Sequence, residues 1–195
     1  MRFLTDFADL AVLLPLATCV GVGLALAGWR RGALAWGGVI VGTLAFMLAL
    51  KLLCLGCGTA DALSPSGHTA AGTAIYGGGA ALALRNRMPA PAAALLPGLL
   101  IASLIGGTRV ALGYHVPAEV LIGGAAGLAA ILLLLRAAGP PPPRLNTRYL
   151  LPAALLVVVA LHGTRLSAEP RLRAVAGWLP AAMCDRLGFS EVNFR

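Results

Sequence analysis

Two short stretches hold the residues whose types and spacing could do chemistry. The first is Ala62–Thr73, ALSPSGHTAAGT, where Pro65, Ser66, Gly67 and His68 stand at the mouth of an apolar run reaching about Leu84. Proline suits the first turn of a helix, and the serine and glycine after it leave backbone N–H groups facing out of that helix end. Free donors at a helix N-terminus suit an anion, above all a phosphate. A histidine beside a bound phosphate can protonate a departing oxygen. Taken alone, the four residues are equally consistent with a helix start whose polar side chains merely cap.

The second stretch is Gly107–Ile122, GTRVALGYHVPAEVLI, which supplies an arginine, a histidine and a carboxylate. His115 and Glu119 are four residues apart, so a helix beginning near Val116, with Pro117 in its first turn, puts both on one face. A carboxylate one turn from an imidazole can hold its Nδ1 proton and leave Nε2 free to attack. Arg109 brings the side chain best matched to phosphate oxygens. Together the stretches offer a nucleophile with its orienter, an acid and an anion clamp.

At these residues the chain resembles the type 2 phosphatidic acid phosphatase superfamily of membrane lipid phosphatases. That family carries K-x6-R-P, then P-S-G-H, then S-R-x5-H-x3-D. Pro65–His68 completes the second block, and Thr108, Arg109, His115 and Glu119 meet the third with Thr for Ser and Glu for Asp. Of the first block Lys51 is present, with Gly58 and Thr59 where arginine and proline would stand. The resemblance implies that His115 attacks phosphorus and forms a phosphohistidine, that Glu119 orients it, and that His68 protonates the leaving group. It implies that Lys51, Ser66, Gly67 and Arg109 hold the phosphate oxygens, with no metal and no cofactor. Arg165, Arg171 and Arg173 are expected to lie on anionic head groups, the alternative being that one of them supplies the charge missing at Gly58.

The elements that must position these residues are membrane helices. The chain has 195 residues, 59% of them hydrophobic and 11% charged, with a mean hydropathy of +0.87. A soluble domain of this size cannot hide so much apolar surface. The expected fold is all-α, a polytopic helix bundle of about six spans near residues 11–28, 33–55, 65–84, 90–105, 116–135 and 149–161, the last short for a crossing of about 20 residues. Residues 1–163 form the transmembrane phosphatase domain, and residues 164–195 an amphipathic tail. The N-terminus, with Asp6 and Asp9, does not read as a cleaved leader.

The net charge of +8 is carried by arginines spread among loops, which suits membrane lipid head groups and argues against nucleic acid. Arg30 and Arg31, Arg85 and Arg87, and Arg136, Arg144 and Arg148 fall in alternate loops, which the positive-inside tendency assigns to the cytoplasm. Lys51, His68, Arg109 and His115 then share the external face of a bacterial-style inner membrane. Cys54 and Cys57 form a C-x-x-C that reads as a redox pair or half a zinc site, but no second ligand pair with metal spacing follows, which favours a structural role. Cys19 reads as a small packing residue and His162 as an interfacial one.

The expected activity is therefore metal-independent hydrolysis of a lipid phosphate or diphosphate at the external membrane face. Two other readings stand beside it. One is a weak or inactive relative that binds a lipid phosphate without cleaving it, suggested by the incomplete first block. The other is a small transporter or assembly subunit, which would place polar mouths on both faces.

Overall fold

The computed structural model describes residues 2–57, 63–142, 148–166 and 169–178. Among them all regular structure is helical: α1 (Arg2–Asp6), α2 (Leu10–Leu26), α3 (Arg30–Cys57), α4 (Gly67–Gly72), a π-helical turn (Thr73–Gly77), α5 (Gly78–Leu84), α6 (Ala90–Ala111), α7 (Pro117–Ala137), α8 (Leu150–Leu161) and α9 (Glu169–Ala176). Three helices, Arg30–Cys57, Pro91–Ala111 and Pro117–Ala137, are long and apolar enough to cross a membrane, and Leu10–Leu26 and Leu150–Leu161 are shorter apolar helices. Exposed leucines on α6 and α8, such as Leu96, Leu100, Leu151 and Leu156, suit a bundle whose outer surface meets lipid.

The α4, π and α5 segments follow one another without a break, and their small residues let neighbours approach. Glycines on α7 are the counterpart. A methyl group added at Gly123 would collide with the Ser66 carbonyl, and one added at Gly127 would meet Thr73 Cβ at 2.5 Å and the Ala70 carbonyl at 2.9 Å. Gly123 and Gly127 lie one turn apart, so this stripe sets the close contact of α7 with α4. On the other side Trp36 fills the space between α2 and the start of α5, almost wholly buried, and donates from Nε1 to the Ala17 carbonyl at 2.8 Å.

Arginine-bearing turns gather at one end of the bundle. Arg31 Nε donates to the Ala137 carbonyl at 2.9 Å, Trp29 Nε1 donates to the Ala138 carbonyl at 3.2 Å, and the Arg85 guanidinium lies 5.5 Å from the Trp29 ring centre. The turn between α2 and α3, the end of α5 and the end of α7 thus meet, as the alternate-loop pattern requires. Arg109 departs from its expected place after a span ending at Ile105, because α6 continues through Ala111 and carries the arginine in its last turn. Short α1 was not expected as an element. It packs on α6, and His162, expected at an interface, ties it to the end of α8. The His162 ring lies 4.4 and 4.3 Å from the Phe3 and Phe7 rings, with Nε2 3.0 Å from the Phe3 carbonyl.

Because the Ser66 carbonyl is backbone, it cannot yield to a new methyl as a flexible side chain would. Gly123→Ala should therefore destabilise the protein by about 1–3 kcal/mol and lower its activity. Thermal unfolding in detergent checks this, and an unchanged midpoint with full activity would show that α7 and α4 are not in tight contact.

Candidate active site

Glu119 joins the two motif stretches. It occupies the third position of α7, whose N-cap is Val116 and whose first residue is Pro117. Its Oε2 accepts from the Val116 N–H at 3.1 Å, half of a capping box. The same oxygen is 2.7 Å from His115 Nδ1. Oε1 accepts from the Ser64 N–H in a short hydrogen bond, and the Glu119 backbone carbonyl accepts from the Ser66 N–H at 3.0 Å. The loop that presents His115 and the loop that presents His68 are thus held by one residue.

With Nδ1 facing the carboxylate, the ring is fixed in the tautomer that leaves the Nε2 lone pair free. The His115 side chain is 8% exposed. Burial pushes its pKa below the ordinary 6.5, and the charges of Arg109 and Lys51 push the same way, while Glu119 opposes them. Both cations named from the sequence therefore act on the imidazole. Lys51 is itself buried, on the inner face of α3. Between Arg109 and His115 the chain reverses through Gly113, whose φ of +70° other residues rarely adopt.

His68 belongs to a second cluster that shares Arg109 with the first. Thr5, Asp6, Asp9, His68, Arg109, Tyr114 and Arg165 line a polar cavity of about 130 Å³. Arg109 donates to Thr5 Oγ1 at 3.2 Å, and its guanidinium lies 4.5 Å from the Tyr114 ring centre. Arg165 grips Asp6 with two hydrogen bonds, Nε to Oδ1 at 2.8 Å and Nη2 to Oδ2 at 2.9 Å. His115, Glu119 and Lys51 do not line this cavity. Arg109 alone is common to both clusters.

Two residues named from the sequence behave differently from the rest. Ser66 is fully buried; its Oγ lies 2.9 Å from Thr69 Oγ1 and 3.4 Å from Thr69 N, so the hydroxyl caps α4 and does not line the cavity. Gly67 is the first residue of that helix, where the N–H has no intrahelical partner. Cys57 is disulfide-bonded while Cys54 is a free thiol, so the two do not form a redox pair with each other or a ready pair of zinc ligands. Gly58 and Thr59 lie outside the described residues.

Of the three arginines considered for the missing charge, the structure brings Arg165 to the cavity, with Asp6 beside it. Sequence reasoning passed over Thr5, Asp6, Asp9 and Tyr114. A signal was available in the carboxylates: the chain has only seven Asp and Glu residues. Two of them at the mouth of an apolar helix need partners.

The model of the PAP2 superfamily matches residues 54–140, a stretch that holds His68, Arg109, His115 and Glu119. Over those residues the chain is similar to the PAP2 superfamily. Lys51, Asp6, Asp9 and Arg165 lie outside the match. No curated protein and no solved structure matches the chain.

Depression of the His115 pKa keeps this imidazole neutral into more acid solution. With an aryl phosphate that needs no leaving-group protonation, the acid limb of kcat/KM against pH should fall below 6.5. A limb centred above that value would contradict the burial and cation effects described.

Proposed function

We propose that the protein is an integral-membrane lipid phosphate phosphatase that works through a phosphohistidine on His115. The observation that carries this reading is the 2.7 Å contact between His115 Nδ1 and Glu119 Oε2, beside Arg109 and Lys51. Nε2 attacks phosphorus and forms the N–P bond as the bond to the lipid oxygen breaks. His68 gives its proton to that oxygen, and the lipid leaves as an alcohol, or as a monophosphate where the substrate is a diphosphate. Water then attacks the phosphohistidine, His68 takes up the water's proton, and phosphate departs with His115 restored. Lys51, Arg109 and the N–H groups of Gly67 and His68 hold the non-bridging oxygens, whose charge must be stabilised in the transition state. Arg165 lines the cavity wall with its charge shared with Asp6, so it offers hydrogen-bond donors there more than a free cation.

An apolar groove supports a lipid as the substrate. Leu4, Phe7, Tyr76, Ile101, Leu104 and Ile105 line about 230 Å³ of space between the α1 region, the π turn and α6, and α1 and α6 also flank the polar cavity. Ile105 lies one turn before Arg109, so a phosphate at the arginine leaves an acyl chain beside the groove. The external orientation rests on two features of opposite ends. Clustered arginines suit the cytoplasmic end, and the disulfide-bonded Cys57, at the far end of the helix that carries Lys51, suits an oxidising compartment.

The test is phosphate release by purified protein from a panel of long-chain lipid phosphates, with His115→Ala as the blank. Release by the wild type and its loss by more than about a hundredfold in His115→Ala is expected. An inactive wild type would favour the phosphate-binding relative. Leu104→Trp, which fills the groove, should lower kcat/KM for a long-chain substrate and spare a short-chain one. Equal losses would separate the groove from substrate binding. For orientation, a cysteine at Asn86, in a background lacking the native free thiols, should escape an impermeant thiol reagent added to intact cells, and ready labelling would invert the bundle.

A further inference from the structure

The N-terminal carboxylate Asp9 meets the second histidine of the site. Asp9 lies between α1 and α2, outside both the residues that match the family and the spans that carry the motifs. Its two oxygens face different ways. Oδ1 accepts from the Ala11 N–H at 2.9 Å, capping α2, and from the Leu166 N–H at 2.9 Å. Oδ2 faces His68 Nε2 at 3.9 Å, an ion-pair distance when the imidazole is protonated. The Asp9 side chain is 10% exposed and the His68 side chain 32% exposed, so the pair sits where water screens it incompletely.

Among the charged side chains around His68, Asp9 is the carboxylate at ion-pair distance from the imidazole. Asp6 on α1 is held by Arg165 through two hydrogen bonds, so each largely cancels the other at the imidazole. Arg109 from α6 opposes a positive His68, Tyr114 lines the same wall without a charge at neutral pH, and Thr5 is neutral. Among the described residues, His68 is the one titratable cation at ion-pair distance from Asp9. We propose that Asp9 is a positioning residue for His68, pairing with Nε2 of the protonated imidazole so that the proton on the other ring nitrogen, Nδ1, is the one delivered to the leaving oxygen. The proposal rests on the reading of His68 as the general acid. Although burial works to raise the Asp9 pKa, the nearby His68 imidazole and the hydrogen bonds from the Ala11 and Leu166 N–H groups bring it below the usual carboxylate range, so Asp9 is charged at the working pH. The site then holds two carboxylate–imidazole pairs of opposite purpose. Glu119 fixes the tautomer and direction of His115, whose burial and neighbouring cations keep it neutral, and Asp9 pairs with a charged His68 that serves the oxygen that leaves.

Asp9→Asn tests this while sparing the structure, because asparagine is as good an N-cap as aspartate and keeps an acceptor for Leu166. Two readouts are needed. In rate measurements, loss of the acid should matter for an alkyl leaving group and hardly for an activated aryl one. Asp9→Asn should therefore slow phosphatidate hydrolysis by about tenfold at pH 8 and aryl phosphate hydrolysis by less than about twofold, with the alkaline limb for phosphatidate moved to lower pH. Asp9→Glu should restore part of the loss. The second readout is independent of turnover. The chain has three histidines, so the His68 ring signals can be followed by NMR against pH in protein labelled at histidine. They should titrate at lower pH in Asp9→Asn than in the wild type. Equal losses on both substrates, or unmoved His68 signals in a variant that unfolds at the wild-type temperature, would overturn the proposal. If Asp9→Asn does not fold, Asp9→Ser, which also caps, is read in the same way. A His68→Ala variant that slows both substrates equally would instead remove His68 from the acid role, and the positioning role of Asp9 would fall with it even where the signals move.

Discussion

Everything at the active end of this bundle depends on how Glu119 is satisfied. A carboxylate near the head of an apolar helix is costly unless donors surround it. Glu119 answers with Ser64 N–H, Val116 N–H and His115 Nδ1 on its side chain, and the Ser66 N–H on its carbonyl. It also sits in the first turn of α7, where the helix dipole favours negative charge. These bonds form together only if the P-S-G-H segment lies directly against the start of α7. Gly123 and Gly127 permit that approach by presenting no side chain to the Ser66 carbonyl and Thr73. One buried charge thus converts two distant sequence motifs into one geometry.

The second layer comes from the chain ends. Helix α1 delivers Thr5 to Arg109 and Asp6 to Arg165, while the link after it delivers Asp9 to His68. The segment after α8 returns to the same place through Arg165 and Leu166, and α9 packs against α3. The two imidazoles consequently have unlike surroundings. His115 is desolvated and gripped at 2.7 Å, which suits the proposed nucleophile, and His68 is wetter and paired at 3.9 Å, which suits the proposed proton donor.

The helical bundle and the pairing of His115 with Glu119 were legible in the sequence because both rest on local periodicity. An i,i+4 spacing behind a proline fixes a face, and a run of apolar residues fixes a span. The gathering of arginine turns at one end was legible for the same reason. The N-terminal wall was not. Asp6, Asp9 and Arg165 meet across about 160 residues of chain, and no local pattern encodes such a contact. A division after residue 163 would separate Arg165 and Leu166 from the carboxylates they bond. Ser66 illustrates a different limit, since capping and phosphate binding use the same residue in the same position, and only the direction of its hydroxyl, toward Thr69, separates them. The role of Cys57 was hidden too, because a C-x-x-C spacing suggests pairing within the motif whereas Cys54 is free.

The account turns on His115 as the group that carries the phosphoryl. Its most direct measurement is rapid acid-free quenching of the enzyme during turnover of a lipid phosphate labelled in the phosphoryl group, followed by mapping of the bound label. The account predicts label on His115, lost in acid and retained in base, as a phosphoramidate should be. Label on another residue, or turnover at full rate with no trapped label and phosphate formed by a single inverting attack of water, would contradict it.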